Sequence, residues 1–214
     1  MNGIFRVNAF FLQPGAKAKV PDTEKVPVGI RKLKPAGLYN VIFELDLGDM
    51  VYDFSKFPMD DMCALLNKWN NWCFENLSPK AKVMVSFRDL PDVMPNHSAR
   101  VFQTVAYLAR LPPDRRPFGL MFEEPRGKSL PEECGMWARY IRKVMDKFKW
   151  KGHLLVHVHE KFGYCDATAL QVGRSNSLLH IVQHSRSIRP RLDKTGYFSK
   201  LPFDMKSRRI ANFF

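Results

Sequence analysis

Short apolar runs alternate with longer amphipathic segments between residues 38 and 171, and this alternation predicts strands that are each followed by a helix. The apolar runs begin near positions 39, 82, 118 and 153. Their spacing of roughly 35 to 43 residues is the length of a strand, a helix and two generous loops. The predicted strands cover residues 39–47, 83–87, 118–122 and 154–159.

Three of the intervening segments have the 3.6-residue period of a helix with one apolar face. The first predicted helix opens near Pro58, the second follows a loop predicted over 88–97, and the third opens after Pro131. A further short helix is predicted around 177–184. The apolar faces include Met62, Leu65, Leu66 and Trp69, then Val101, Phe102, Val105 and Leu108, then Trp137, Ile141 and Val144.

Apolar strands that alternate with amphipathic helices predict an α/β fold in which helices cover a parallel sheet. The sheet closes in a (β/α)₈ barrel or stays open in a doubly wound layer, and only four βα units are recognisable. We therefore predict a partial TIM-barrel-like parallel sheet of about four βα units, with irregular basic ends. The predicted divisions are a basic N-terminal extension over 1–37, the barrel-like body over 38–171 and a basic, partly disordered tail over 172–214.

The formal net charge of +13 is concentrated in those two ends. Residues 1–37 carry +5 and residues 172–214 carry +7, which leaves the body nearly neutral at +1. Any attraction to nucleic acid or anionic lipid is therefore predicted to lie in the ends, where aromatic residues of the tail also interleave with cations. Solvated tails without a specific partner are the alternative prediction.

The cysteine spacing and the length of the apolar runs indicate in which cellular compartment the protein is expected. The four cysteines are dispersed without CxxC spacing, which favours a reducing compartment over a disulfide framework. No apolar run approaches the roughly 20 residues of a membrane-spanning helix, so we predict a soluble, cytoplasmic protein without a membrane partner. Organelle import is the alternative, because the first 21 residues contain three cations and no acid. The cysteines are Cys63, Cys73, Cys134 and Cys165.

His157 and His159 end the last predicted strand, and a Phe-Gly turn follows them. Residues i and i+2 of a strand point to the same face. Two imidazoles on one face can bind a divalent metal ion if an oxygen ligand arrives from elsewhere. The alternative is that one ring packs in the core and bonds a backbone carbonyl.

Three ordered motifs give the chain a resemblance to the metal-dependent barrel family that includes hydroxymethylglutaryl-CoA lyase, isopropylmalate synthase and homocitrate synthase. The resemblance covers roughly residues 39–171. Segment 85–92 (VSFRDLPD) resembles the family's fourth strand and the loop after it. The other two are Glu124-Pro-Arg-Gly127 with Pro131-Glu-Glu133, and His157-Val-His159 with Phe162-Gly163, Ala167 and Ala169.

This resemblance implies a carbon–carbon lyase or acyltransferase that uses Mg²⁺, Mn²⁺ or Zn²⁺ and acts on a small acyl or keto-acid substrate. It implies that His157 and His159 are metal ligands, and Glu124 or Asp89 is the candidate oxygen donor. The remaining candidates are Glu124 and Arg88 for catalysis and Arg126 and Lys161 for substrate binding.

The missing units predict an incomplete or impaired enzyme, because no strand-helix alternation precedes residue 39 or follows residue 171. A non-catalytic binding or assembly module derived from a barrel is therefore an alternative function. Open edge strands would favour a homo-oligomer. A third hypothesis, binding of nucleic acid through the basic ends, ranks below both.

Overall fold

The computed structural model describes residues 4–7, 21–174 and 177–183, and its centre is a six-stranded parallel sheet with strands in sequence order. Every neighbouring pair of strands is parallel. The strands are β1 (Ile4–Val7), β2 (Asn40–Leu45), β3 (Val83–Phe87), β4 (Gly119–Glu124), β5 (His153–Glu160) and β6 (Leu178–Gln183). The helices are α1 (Val28–Arg31), α2 (Met59–Asn76), α3 (Leu90–Arg110), α4 (Pro131–Lys147) and α5 (Cys165–Gly173).

The predicted α/β class and the four βα units are confirmed, because β2 to β5 are each followed by a helix. The sheet also extends beyond the predicted body. Strand β1 lies within the predicted N-terminal extension, and β6 lies where a short helix was predicted over 177–184. That helix prediction is wrong, and residues 184–214 of the predicted tail lie outside the described residues.

The predicted loop over 88–97 is also wrong, because α3 already begins at Leu90. Pro91 stands in the first turn, where a missing N–H costs no hydrogen bond. Pro95 interrupts the helix, and His97 has non-helical backbone angles (φ −133°, ψ 23°). The segment is therefore a bent first part of the helix that follows β3.

The two faces of the sheet differ in chemistry. Phe43, Phe87 and Phe122 lie on the face that packs against the helices, and each is at most 1% exposed. Because side chains alternate along a strand, the neighbouring positions point to the opposite face. That face holds the buried polar residues Glu44, Ser86, Glu123 and His157.

A parallel sheet whose second face served only packing would carry apolar residues there as well. The second face is instead mixed, because buried acids and a histidine lie on it together with Met84 and Met121. The carboxyl ends of the strands all lie at one edge, which we call the carboxyl edge, and this is where ligands bind in parallel α/β proteins. None of the described helices has the length and apolar character needed to cross a membrane.

Candidate metal centre

Strands β4 and β5 bring one glutamate and two histidines together at the carboxyl edge. Glu123 is the register partner of His157 in the β4–β5 ladder, so their side chains are neighbours on the same face. His159 is two residues further along β5 and shares that face. The three side chains therefore converge because of strand register, although Glu123 is more than thirty residues from the histidines in sequence.

The three donor atoms form a nearly equilateral triangle. Nε2 of His157 lies 3.2 Å from Nε2 of His159, and Oε1 of Glu123 lies 3.7 Å and 3.6 Å from these two nitrogens. A point in the plane of this triangle is about 2.0 Å from all three atoms, and bonds from Zn²⁺ to histidine nitrogen and carboxylate oxygen measure about 2.0 to 2.2 Å. The distances between the three donor atoms are therefore compatible with one shared metal ion.

Burial strengthens the electrostatics of this group. Glu123 is 7% exposed and His157 is 8% exposed, while His159 is half-buried. A carboxylate shielded from water interacts more strongly with a nearby cation than an exposed one does. The two imidazoles, when neutral, add nitrogen donors without adding positive charge. Two nitrogens and one carboxylate oxygen are a donor set found in zinc and non-haem iron sites.

The carboxylate beside the histidines is that of Glu123, whereas the sequence favoured Glu124 or Asp89. Glu124 is the next residue of β4 and points to the helix-covered face. Its carboxylate accepts hydrogen bonds from the backbone N–H groups of Gly127 (2.6 Å) and Lys128 (3.2 Å). Glu124 therefore fixes the turn between β4 and α4.

Arg88 and Asp89 follow β3 at the same edge. Arg88 directly follows β3, and its backbone N–H donates a hydrogen bond to the carbonyl of Leu45 on β2 (2.9 Å). The half-buried Asp89 has a left-handed backbone conformation (φ 45°) and lies outside the Glu123, His157 and His159 group. Burial raises the pKa of Asp89, and the charges of Arg88 and Arg126 offset only part of that increase.

Replacing Asp89 with asparagine is expected to stabilise the protein at pH 7 by about 0.5 kcal/mol. A raised pKa means that the folded state favours the neutral carboxyl, so the ionised form is unfavourable for folding above the ordinary pKa of 3.8. The difference in free energy of unfolding between the variant and the wild type should disappear as the pH falls below about 4, because the carboxyl is then neutral in both states. Urea unfolding of both proteins across this pH range checks the prediction, and a gain that grew toward low pH would contradict it.

Arg126 and Lys161 lie on loops of the carboxyl edge, outside the triangle of donor atoms. Both guanidinium nitrogens of Arg126 bond the two carboxylate oxygens of Asp92, one of them at 2.7 Å, and this pair is half exposed. Hydrogen bonding to Asp92 raises the pKa of Arg126. Lys161 is exposed, and its Nζ lies 5.5 Å from the ring centre of Phe162.

Neither a protein-family model nor a curated protein matches this chain.

Proposed function

We propose that this chain binds a divalent metal ion through Glu123, His157 and His159 and uses it on a small keto acid, in the manner of carbon–carbon lyases or acyltransferases. The observation that carries the metal site is the triangle of three donor atoms with sides of 3.2, 3.6 and 3.7 Å. The sequence motifs around these residues support the choice of reaction class.

The donor set narrows the ions suggested by the sequence. Mg²⁺ prefers an octahedron of oxygen ligands and is seldom held by imidazole. Zn²⁺ accepts both imidazole and carboxylate, and Mn²⁺ accepts carboxylate with additional oxygen ligands. We therefore propose Zn²⁺ or Mn²⁺, with Mg²⁺ the weakest of the three.

The ion would supply a Lewis acid that polarises the carbonyl oxygen of the substrate and stabilises the negative charge that develops there. The residues of the chain hold and orient the reactants. Glu123, His157 and His159 would supply three donor atoms to the ion.

Arg88 is the residue we propose for binding the substrate carboxylate. It directly follows β3 at the carboxyl edge, and it is half-buried. Its positive charge acts on the nearby carboxylates of Asp46 and Asp89. A guanidinium in this position is available for a two-pronged bond to a carboxylate.

Exchange of the carbon-bound protons of pyruvate and 2-oxobutyrate in D₂O tests the proposal, because proton loss beside a polarised carbonyl is a partial reaction of this class. We expect protein with Zn²⁺ or Mn²⁺ to accelerate exchange at least tenfold over the same concentration of ion alone, as followed by ¹H NMR. Glu123→Gln should abolish the acceleration, and Arg88→Gln should raise the substrate concentration needed for half of it.

Asp89→Asn is the matched control, because it removes a carboxylate at the same edge that lies outside the donor triangle. It should retain both metal binding and exchange. Equal exchange rates for the wild type and Glu123→Gln would contradict the proposal. Tight metal binding with no accelerated exchange would reject the reaction class and keep the metal site.

A further inference from the structure

The end of the sheet opposite the metal centre is a single surface built from four loops. These loops precede β2, β3, β4 and β5 and cover residues 32–39, 77–82, 111–118 and 148–152. Because the strands are parallel, their amino ends share one edge, and hydrogen bonds join the first residues of strands to the neighbouring loops there. The N–H of Val41 bonds the Lys82 carbonyl at 3.0 Å, and that of His153 bonds the Phe118 carbonyl at 3.1 Å.

Each of the four loops carries two lysine or arginine residues, and Asp114 is the one acid among them. Lys32, Lys34, Lys80, Lys149 and Lys151 are exposed. We call this surface, formed by the four loops, the basic end. The name refers to one end of the sheet and not to the basic terminal segments 1–37 and 172–214.

Lys82, Arg115 and Arg116 complete the cations of the basic end and are half-buried. The Arg116 Nη1 donates a long hydrogen bond of 3.4 Å to the Lys149 carbonyl and so links two of the loops. Lys82 lies 4.9 Å from the centre of the Phe118 ring. These contacts hold the side chains of Arg116 and Lys82 against the neighbouring loops.

A repeated local pattern holds the exposed lysines outward. The sequence lysine, apolar residue, lysine occurs at 32–34, 80–82 and 149–151. The middle residue is buried each time: Leu33 is 1% exposed, Ala81 is 7% exposed and Trp150 is 3% exposed. Each of these three loops is thus anchored by a buried central side chain, with a cation on either side.

Compensation of the helix dipoles accounts for only part of this charge. Helices α2, α3 and α4 end at this edge, and cations near a helix carboxyl end are stabilising. That effect falls off within the last turn. Lys80 and Lys151 each stand three residues beyond the C-cap residues Leu77 and Phe148. The helix dipoles therefore do not account for these two lysines.

Six of the eight cations of the basic end lie in residues 38–171, whose net charge is only +1, so acids must lie elsewhere in that segment. The first turns of the three long helices carry acids at the carboxyl edge, namely Asp60, Asp61, Asp92, Glu132 and Glu133. These acids balance the basic end in the total charge but lie at the other end of the strands. A polyanion that approached the basic end would meet a high local density of cations.

We propose that the basic end binds the phosphate backbone of nucleic acid. Within the described residues, none of the exposed large hydrophobic side chains lies in the four loops. Protein interfaces have an apolar centre, and membrane-surface elements insert apolar side chains. Phosphate backbones need only cations, and this binding is independent of the metal centre and of base sequence.

Fluorescence anisotropy of a labelled 16-base-pair DNA duplex between 50 and 200 mM KCl tests the proposal with the full-length chain. The test variant combines Lys34→Gln, Lys80→Gln and Lys151→Gln. The matched control combines Lys56→Gln, Lys128→Gln and Lys161→Gln, which removes three exposed lysines from the loops of the carboxyl edge. Thermal melting of both variants should match that of the wild type.

We expect the test variant to bind at least tenfold more weakly than the wild type at 100 mM KCl. Its slope of log K against log salt should be shallower by about 2 to 3, because each lost phosphate contact contributes about 0.9. The control should stay within threefold of the wild type. Equal losses in both variants, or no loss in the test variant, would overturn the proposal. Tighter binding to phosphatidylserine vesicles than to the duplex at the same salt would overturn the choice of partner.

Discussion

Replacing His157 with alanine is expected to weaken the binding of Zn²⁺ or Mn²⁺ by at least about 100-fold. Loss of an outer hydrogen-bond partner of a metal ligand already costs roughly 10- to 100-fold, and this change removes a donor atom itself. Nε2 of His157 lies 3.2 Å from the second nitrogen and 3.7 Å from the Glu123 oxygen, so its loss leaves two of the three donors. Isothermal titration calorimetry at pH 7.5 measures the effect.

The matched control for this experiment is His97→Ala. His97 lies at the bend of α3, where its Nε2 is 3.0 Å from an Asp49 oxygen and plays no part in the donor triangle. Its replacement should leave metal affinity within a factor of two. An affinity of His157→Ala within threefold of the wild type, with both variants folded, would show that the ion binds elsewhere.

Replacing Gly127 with alanine is expected to destabilise the fold by about 3 kcal/mol and to weaken metal binding at the same time. Gly127 has a positive φ of +60°, and a Cβ there would collide with the carbonyl oxygen of His159 and lie 2.7 Å from the Cβ of Lys161. The backbone of His159, one of the three proposed metal ligands, would therefore have to move. Urea unfolding, combined with calorimetry of the remaining folded protein, measures both effects.

Gly163→Ala is the control that distinguishes the cost of a left-handed backbone from the cost of the collision at Gly127. Gly163 also has a positive φ, +82°, but no described atom lies within 4 Å of the position of its added Cβ. It should lose only about 1 to 2 kcal/mol, the cost of a left-handed conformation for an alanine. If the two variants lost equal stability, or if Gly127→Ala kept full metal affinity, the proposed link between this turn and His159 would be wrong.

The histidine pair could be found from the sequence because its signal is local. Two residues apart on one strand is a spacing that needs no tertiary information, and His157 and His159 do share a face. The third donor could not be chosen in the same way. Glu123 and Glu124 are adjacent and point to opposite faces, so the choice depends on which face the helices cover and on the register with β5.

The alternation of side chains along β4 identifies Glu123 as the glutamate that points away from the helices. Leu120 and Phe122 belong to the helix-covered core, so the next residue that points away from the helices is Glu123. The motif resemblance drew attention to Glu124 instead, and its carboxylate is engaged by the backbone of the following turn. Both glutamates are buried, one on each face of the sheet, so burial does not distinguish them.

The outer strands were missed for a different physical reason. Strand β1 has four residues and lies in the segment predicted as an irregular basic extension, and β6 has six residues and lies where a short helix was predicted. A short strand at a sheet edge is fixed by pairing with its neighbour more than by its own periodicity. In α3, Pro91 and Pro95 looked like loop residues, although a proline in the first turn is compatible with a helix.

X-ray absorption at the zinc edge of protein loaded with one equivalent of Zn²⁺ tests the central claim most directly. The account predicts two imidazole nitrogens and at least one carboxylate oxygen at about 2.0 to 2.2 Å, and the loss of one imidazole in His157→Ala. A spectrum with sulfur at about 2.3 Å, or one without imidazole scattering, would place the ion outside the group of Glu123, His157 and His159 and contradict the account.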